Sequence, residues 1–383
     1  MGDSTELRLT TRFTALDGLR GLAALIVVIH HCLLVSRELA AAVHTDGQGE
    51  LEPWVWWATF TPLHLLWAGQ EAVYLFFILS GFVLMLPFLG DGASGWASYY
   101  SKRLIRIYLP VWASLIFALL LAGITPRVAS PSLSSWVNLH DQVPDLLRDM
   151  LLLGGVSSLN SPLWSLQWEM LFSLLLPLYL IVAIRVRRCW LLSIAGLLAV
   201  IALGNVLYTS LPVFMPMFGI GALMAVGRSD LDRWGRHLGG CGWVFMLVAA
   251  VPLLCARWLY PQLPVVIALA TVGGALVLFA FTAWRPTIRL GNRRVLRWLG
   301  LRSFSLYLVH EPIILSVTYA FRSSDPVLVG LFALPLSLAT AEIFFRLVER
   351  PSHRFAGVVG RALGKRPSRG ERAAFQDHRA DMI

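Results

Sequence analysis

The chain has 383 residues, of which 57% are hydrophobic and 14% charged, with a mean hydropathy of +0.68. An ordinary soluble domain carries about 25% charged residues, so a single water-facing core is excluded and the bilayer is the relevant solvent. The formal charge of +10 fits either a nucleic-acid-binding surface or basic loops gathered at one membrane face.

Apolar stretches of about 17 to 25 residues predict about ten transmembrane helices. In chain order they fall at residues 16–36, 70–90, 104–124, 163–184, 190–207, 211–227, 241–258, 263–284, 303–321 and 327–345. The short apolar piece Met150–Val156 reads as an interfacial or re-entrant segment. The expected fold is therefore all-α and polytopic, with a polar N-terminal segment at 1–15, one membrane domain at 16–350 and a basic, disordered tail at 351–383. The apolar run after the polar N-terminal segment is long and lacks a small-residue cleavage site, so the first span is expected to be retained.

An even number of spans puts both termini on one side. The loops on that side carry every Lys and Arg except Arg37, Arg127, Arg148, Arg257 and Arg322, that is, 27 of the 32. Cytoplasmic loops hold such an excess, so both termini are expected in the cytoplasm and the chain in the plasma (inner) membrane, surrounded by lipid. This arrangement accounts for the charge without a nucleic-acid partner. Cys32, Cys189, Cys241 and Cys255 show no C-x-x-C spacing; they read as packing residues, and no metal site is expected.

Ionisable groups are costly in lipid and face the protein interior. The first span begins Leu16-Asp17-Gly18-Leu19-Arg20-Gly21 and runs to His30-His31. Arg20 and His31, 11 residues apart, project from one helix face about 16 Å apart along the axis, whereas His30 points about 80° away. The competing reading is that Arg20 snorkels and His31 caps the helix. Glu169 lies about six residues into its span and His31 about five from the end of its own, so a carboxylate is expected beside an imidazole that it orients. Alternatively, Glu169 bonds to Trp or backbone groups. Arg103 and Arg106 share a helix face, where guanidinium groups bind phosphate bidentately or serve as an ordinary membrane anchor. His310 and Glu311, adjacent near mid-membrane, indicate an interior pocket, and Glu349 lies in a charge cluster, Arg346–Pro351, at the end of the last span.

Together these segments resemble the acyltransferase-3 family of integral membrane O-acyltransferases. Leu16-Asp17-Gly18-Leu19-Arg20-Gly21 through His31 is similar to the family's opening motif, an arginine followed after ten residues by the essential histidine. Phe76-Phe77-Ile78-Leu79-Ser80-Gly81-Phe82 resembles its second-span motif, and Arg103-Leu104-Ile105-Arg106 its R-x-x-R signature. Pro162-Leu163-Trp164-Ser165-Leu166 with Glu169 resembles the tryptophan-to-glutamate segment, with departures at Gln167, Trp168 and Met170. Ser305 to His310 and Glu349-Arg350-Pro351 match late motifs.

The resemblance implies acyl-CoA as the donor substrate, with acetyl the first expectation, and no permanently bound cofactor. Arg20, Arg103 and Arg106 are then expected to hold its phosphates, with His31 as general base and Glu169 as its orienting carboxylate. Asp17, Ser80, His310 and Glu349 are further pocket candidates. A transient acyl-histidine is the alternative chemistry. The expected acceptor is a hydroxyl of a cell-envelope glycan or sugar, with a macrolide-type natural product second. A transporter or flippase is the competing class, because ten spans and the intramembrane Pro87, Pro177, Pro216 and Pro335 also occur there. A non-catalytic polysaccharide-assembly role ranks third.

Overall fold

A computed structural model describes residues 2–44, 50–90 and 95–363, and all regular structure among them is helical. The main helices are α1 (Gly2–Leu33), α2 (Gly69–Met85), α3 (Trp96–Ile124), α4 (Leu163–Arg185), α5 (Trp190–Val206), α6 (Ser210–Val226), α7 (Arg228–His237), α8 (Gly240–Leu254), α9 (Val266–Ala283), α10 (Arg294–Phe321), α11 (Pro326–Phe344) and α12 (Arg350–Leu363). Eight helical stretches among the described residues are long and apolar enough to cross a bilayer, and α6 with α7, bent by 71°, makes up to nine. Each of the ten expected spans coincides with a helix. The seventh, α8, is a shorter apolar helix of 15 residues.

Helix ends differ from the hydropathy reading where polar residues continue a helix. α3 starts at Trp96 rather than 104, and the Tyr99 and Tyr100 hydroxyls donate to the Ser173 and Leu174 carbonyls of α4. α10 starts at Arg294 rather than 303, and its Arg302 pairs with Glu342 of α11. The expected disordered tail is likewise helical up to Leu363. Ser352, Ala356 and Gly360, spaced four apart, bury one face of α12 against α3, where Gly360 meets the Lys102 side chain. This spacing puts them in one helical stripe. Residues 364–383, the rest of that expected tail, lie outside the described residues.

α10 is the most enclosed of the spans, and α1 lies along it. Their contact depends on small residues, as helix pairs in lipid commonly do. A Cβ at Gly300 would strike the Asp17 backbone, and one at Gly21 would strike the backbone at Leu299 and Gly300. Ten residues beyond Gly21 on α1 is His31, and ten beyond Gly300 on α10 is His310. The helices run in the same direction, so the close crossing near Arg20 brings the two imidazoles together about 15 Å further along.

Against α10, α4 runs in the opposite direction. Ser161, just before α4, bonds to Glu311, and one turn later Ser165 bonds to Tyr307. This pairing sets the depth of every polar group on α4.

Candidate active site

Two polar groups occupy this frame, one near the Gly21–Gly300 crossing and one about ten residues further along, near the end of α1 and in the middle of α10. In the first, Arg103 Nη2 donates to Glu169 Oε1 at 2.5 Å, and its Nε donates to Ser173 Oγ at 2.9 Å. Ser80 Oγ donates to the same Glu169 oxygen at 3.2 Å. Arg20, Ser80, Arg103, Glu169 and Tyr307 line one cavity of about 80 Å³, together with apolar side chains such as Phe76. The Arg20 Nε is buried there without a hydrogen-bond partner among the described residues. Arg106 lies within electrostatic reach of Arg20, Arg103 and Glu349, and Asp17 within reach of Arg20. Glu349 is buried and accepts from the backbone N–H and hydroxyl of Ser305. The sequence candidates Asp17, Arg20, Ser80, Arg103, Arg106, Glu169 and Glu349 thus gather into one charged group, in which Arg103 pairs with Glu169 and the Arg20 and Arg106 guanidinium groups lie within electrostatic reach of the Asp17 and Glu349 carboxylates.

The second group centres on His31, which is half-buried, and His310, which is fully buried. His31 Nδ1 lies 3.1 Å from His310 Nε2 and 3.0 Å from the Val27 carbonyl of its own helix. His310 Nδ1 faces the Leu306 and Tyr307 carbonyls at 3.1 and 2.9 Å. The Trp136 ring packs on His31 with centroids 5.4 Å apart, and His30 turns away to bond the Trp67 carbonyl through Nδ1 at 2.9 Å. Behind His310, Glu311 is fully buried and accepts from the Ser161 N–H and hydroxyl and from His140 Nε2 at 3.3 Å. Tyr307, three residues before His310, has its ring 5.8 Å from that imidazole and also lines the arginine cavity. It therefore connects the two groups.

One expected contact is corrected. Glu169 is not the partner of His31; it belongs to the arginine group. α4 does not begin at the membrane surface, because Ser161, just before it, already bonds Glu311, beside His310. α4 therefore starts at the depth of the histidines, and Glu169 lies about two turns beyond them, toward Arg103. Sequence reasoning also missed His140 and Trp136. Both lie in the loop between the third and fourth spans, where neither periodicity nor hydropathy marks a side chain that folds into the bundle.

A family model of the acyltransferase domain, Acyl_transf_3, matches residues 13–346. The chain belongs to the acyltransferase-3 family. The match covers both polar groups except Glu349, and membership makes the chain an acyl-transferring enzyme with multiple membrane-crossing helices. Among curated relatives, the acyltransferase MdmB of Streptomyces mycarofaciens is 28% identical over 90% of this chain and 93% of its own. The O-acetyltransferase PaAT-1 of Phomopsis amygdali is 24% identical over 85% of this chain and 77% of its own. No solved structure matches the chain significantly.

Proposed function

We propose that this acyltransferase-3 member transfers an acyl group, acetyl in the first instance, from acyl-CoA to a hydroxyl acceptor, with His31 as the general base. The observation that carries this reading is the arrangement along α1. A guanidinium cluster lines a cavity at Arg20 and Arg103, a half-buried imidazole stands 11 residues further along the helix, and Tyr307, which lines that cavity, lies with its ring 5.8 Å from the imidazole of His310 beside it. The separation of about 16 Å is comparable to an extended pantetheine arm. Arg20 and Arg106 would take the donor phosphates, and Glu169 would hold Arg103 in line beside them.

In the chemical step, His31 removes the acceptor hydroxyl proton as that oxygen attacks the thioester carbonyl carbon. The C–S bond then breaks, and the imidazolium returns the proton to the departing thiolate. The name O-acetyltransferase carried by one relative supports a hydroxyl acceptor, and family membership favours group transfer over transport. The basic loops support a cytoplasmic position for Arg20, both termini and the donor's entry. A sugar or glycan hydroxyl is the acceptor class we favour.

The test is release of free thiol by the purified protein in nanodiscs, with a panel of acyl-CoA donors and hydroxylated acceptors. Acceptor-dependent release with acetyl-CoA is expected. Absence of release across the panel, together with solute flux in proteoliposomes, would overturn the proposal.

A further inference from the structure

We propose that His310 is a positioning residue that holds His31 in one tautomer, with the proton on Nδ1 and the lone pair on Nε2, so that Nε2 is the nitrogen that accepts the acceptor proton. This rests on the reading of His31 as general base and adds the identity of its orienting group, an imidazole rather than a carboxylate.

A carbonyl oxygen only accepts hydrogen bonds. His310 Nδ1 faces two of them, at Leu306 and Tyr307, and so carries a proton. In a neutral ring Nε2 is then a bare acceptor, and it points at His31 Nδ1, 3.1 Å away. His31 Nδ1 also faces a carbonyl, that of Val27 at 3.0 Å. Both neighbours of His31 Nδ1 are therefore acceptors, and both are satisfied only by a proton on that atom, shared between them. The opposite assignment, a doubly protonated His310 donating to a bare His31 Nδ1, would set a lone pair against the Val27 carbonyl and charge a fully buried ring.

The groups facing this pair reinforce the assignment. His30, on the same helix as His31, is engaged with the Trp67 carbonyl. Glu311, next to His310, is held by Ser161 and by His140, whose Nδ1 in turn faces the Trp136 carbonyl at 2.9 Å. The Glu311 carboxylate is thus hydrogen-bonded to Ser161 and His140 and reaches His31 only through space. When His31 becomes an imidazolium, its Nδ1–H donates more strongly to the neutral His310 Nε2, and the charge is stabilised without moving a second proton.

Two experiments decide the matter. In protein carrying ¹⁵N-labelled histidine in nanodiscs, with the His31 signal assigned by its loss in His31→Gln, the nitrogen shifts at neutral pH are expected to report a protonated Nδ1 and a bare Nε2. The Nε2–H tautomer would overturn the proposal. In turnover assays, His310→Phe is expected to lower kcat by about 10²-fold or more, as a wrong base tautomer does, with the KM for acyl-CoA within about 2-fold. His310→Gln, whose amide oxygen accepts from His31 Nδ1, is expected to recover most of that loss. Full kcat in His310→Phe, while His31→Ala is inactive, would overturn the role of His310 but leave the general-base reading standing. Full activity in His31→Ala would instead overturn that reading itself. If His310→Phe does not fold, the tautomer measurement on the wild-type protein decides alone.

Discussion

The Glu169 carboxylate accepts from Arg103 at 2.5 Å and from Ser80 at 3.2 Å, which binds α4 to α3 and α2 at the depth of the arginine cavity. A carboxylate so placed acts on a guanidinium, not on the imidazole of His31. Glu169→Gln keeps an acceptor oxygen for Arg103 and is expected to hold kcat within about 3-fold of wild type. Glu169→Ala leaves the half-buried Arg103 guanidinium without its carboxylate and is expected to cost about 2 kcal/mol of stability. Steady-state kinetics and thermal unfolding of both variants check this. A loss of kcat of about 10²-fold in Glu169→Gln would return the residue to the histidine's side.

Arg106 stands beside Arg20 and Arg103 without forming an ion pair among the described residues. Loss of one charge-assisted phosphate contact is worth about 1.5 to 3 kcal/mol. Arg106→Ala is therefore expected to raise the KM for acyl-CoA by about 10- to 100-fold and leave the acceptor KM within about 2-fold. Equal effects on both substrates would contradict a phosphate role.

The α1–α10 crossing makes a mechanical prediction. A methyl group at Gly300 meets the Asp17 backbone, which cannot rotate away, so Gly300→Ala must push the helices apart. Overpacking of this kind costs about 1 to 3 kcal/mol. Because the same two helices carry His31 and His310, the variant is expected to lose kcat as well as thermal stability. Leu301→Ala, at an exposed neighbouring position, is expected to change neither by much. A Gly300→Ala protein with wild-type kcat would show that the histidine contact does not depend on this crossing.

His64 gives a pH dependence away from the reacting groups. It is fully buried between the Trp67 and Trp258 rings, and burial, with His30 and Arg257 nearby, pushes its imidazole down to about 3. The unfolded chain binds this proton near pH 6.5 and the folded chain does not, so stability is expected to fall as pH drops below about 6.5. The slope approaches about 1.4 kcal/mol per pH unit for one group. Thermal unfolding between pH 7 and 5 should show this decline, and His64→Phe should flatten it. An unchanged slope in the variant would assign the acid sensitivity elsewhere.

Much of this molecule is legible in its sequence, because lipid enforces a simple rule: each apolar stretch of bilayer length becomes a helix. That rule locates the apolar part of α1 (Thr14–Leu33), α2 and α4 to within a few residues. It also explains the pairing of Arg20 with His31 on one face, since both ride on a single regular helix. What it misses depends on contacts between segments. Ser161 reads as loop, yet it fixes the start of α4 against Glu311. His140 and Trp136 sit in a long connection without periodicity and still fold onto the histidines. The tail up to Leu363 reads as solvated because α12 buries only a narrow stripe, at Ser352, Ala356 and Gly360.

The central claim is that His31 accepts a proton during transfer of an acyl group from acyl-CoA. It is tested most directly by measuring acceptor-dependent thiol release from acetyl-CoA by wild-type protein and by His31→Ala in the same nanodiscs, with folding verified by thermal unfolding. The expected result is release by the wild type and a loss of about 10²- to 10⁴-fold in the variant, at comparable unfolding temperature. A folded His31→Ala protein that releases thiol at the wild-type rate would contradict the claim.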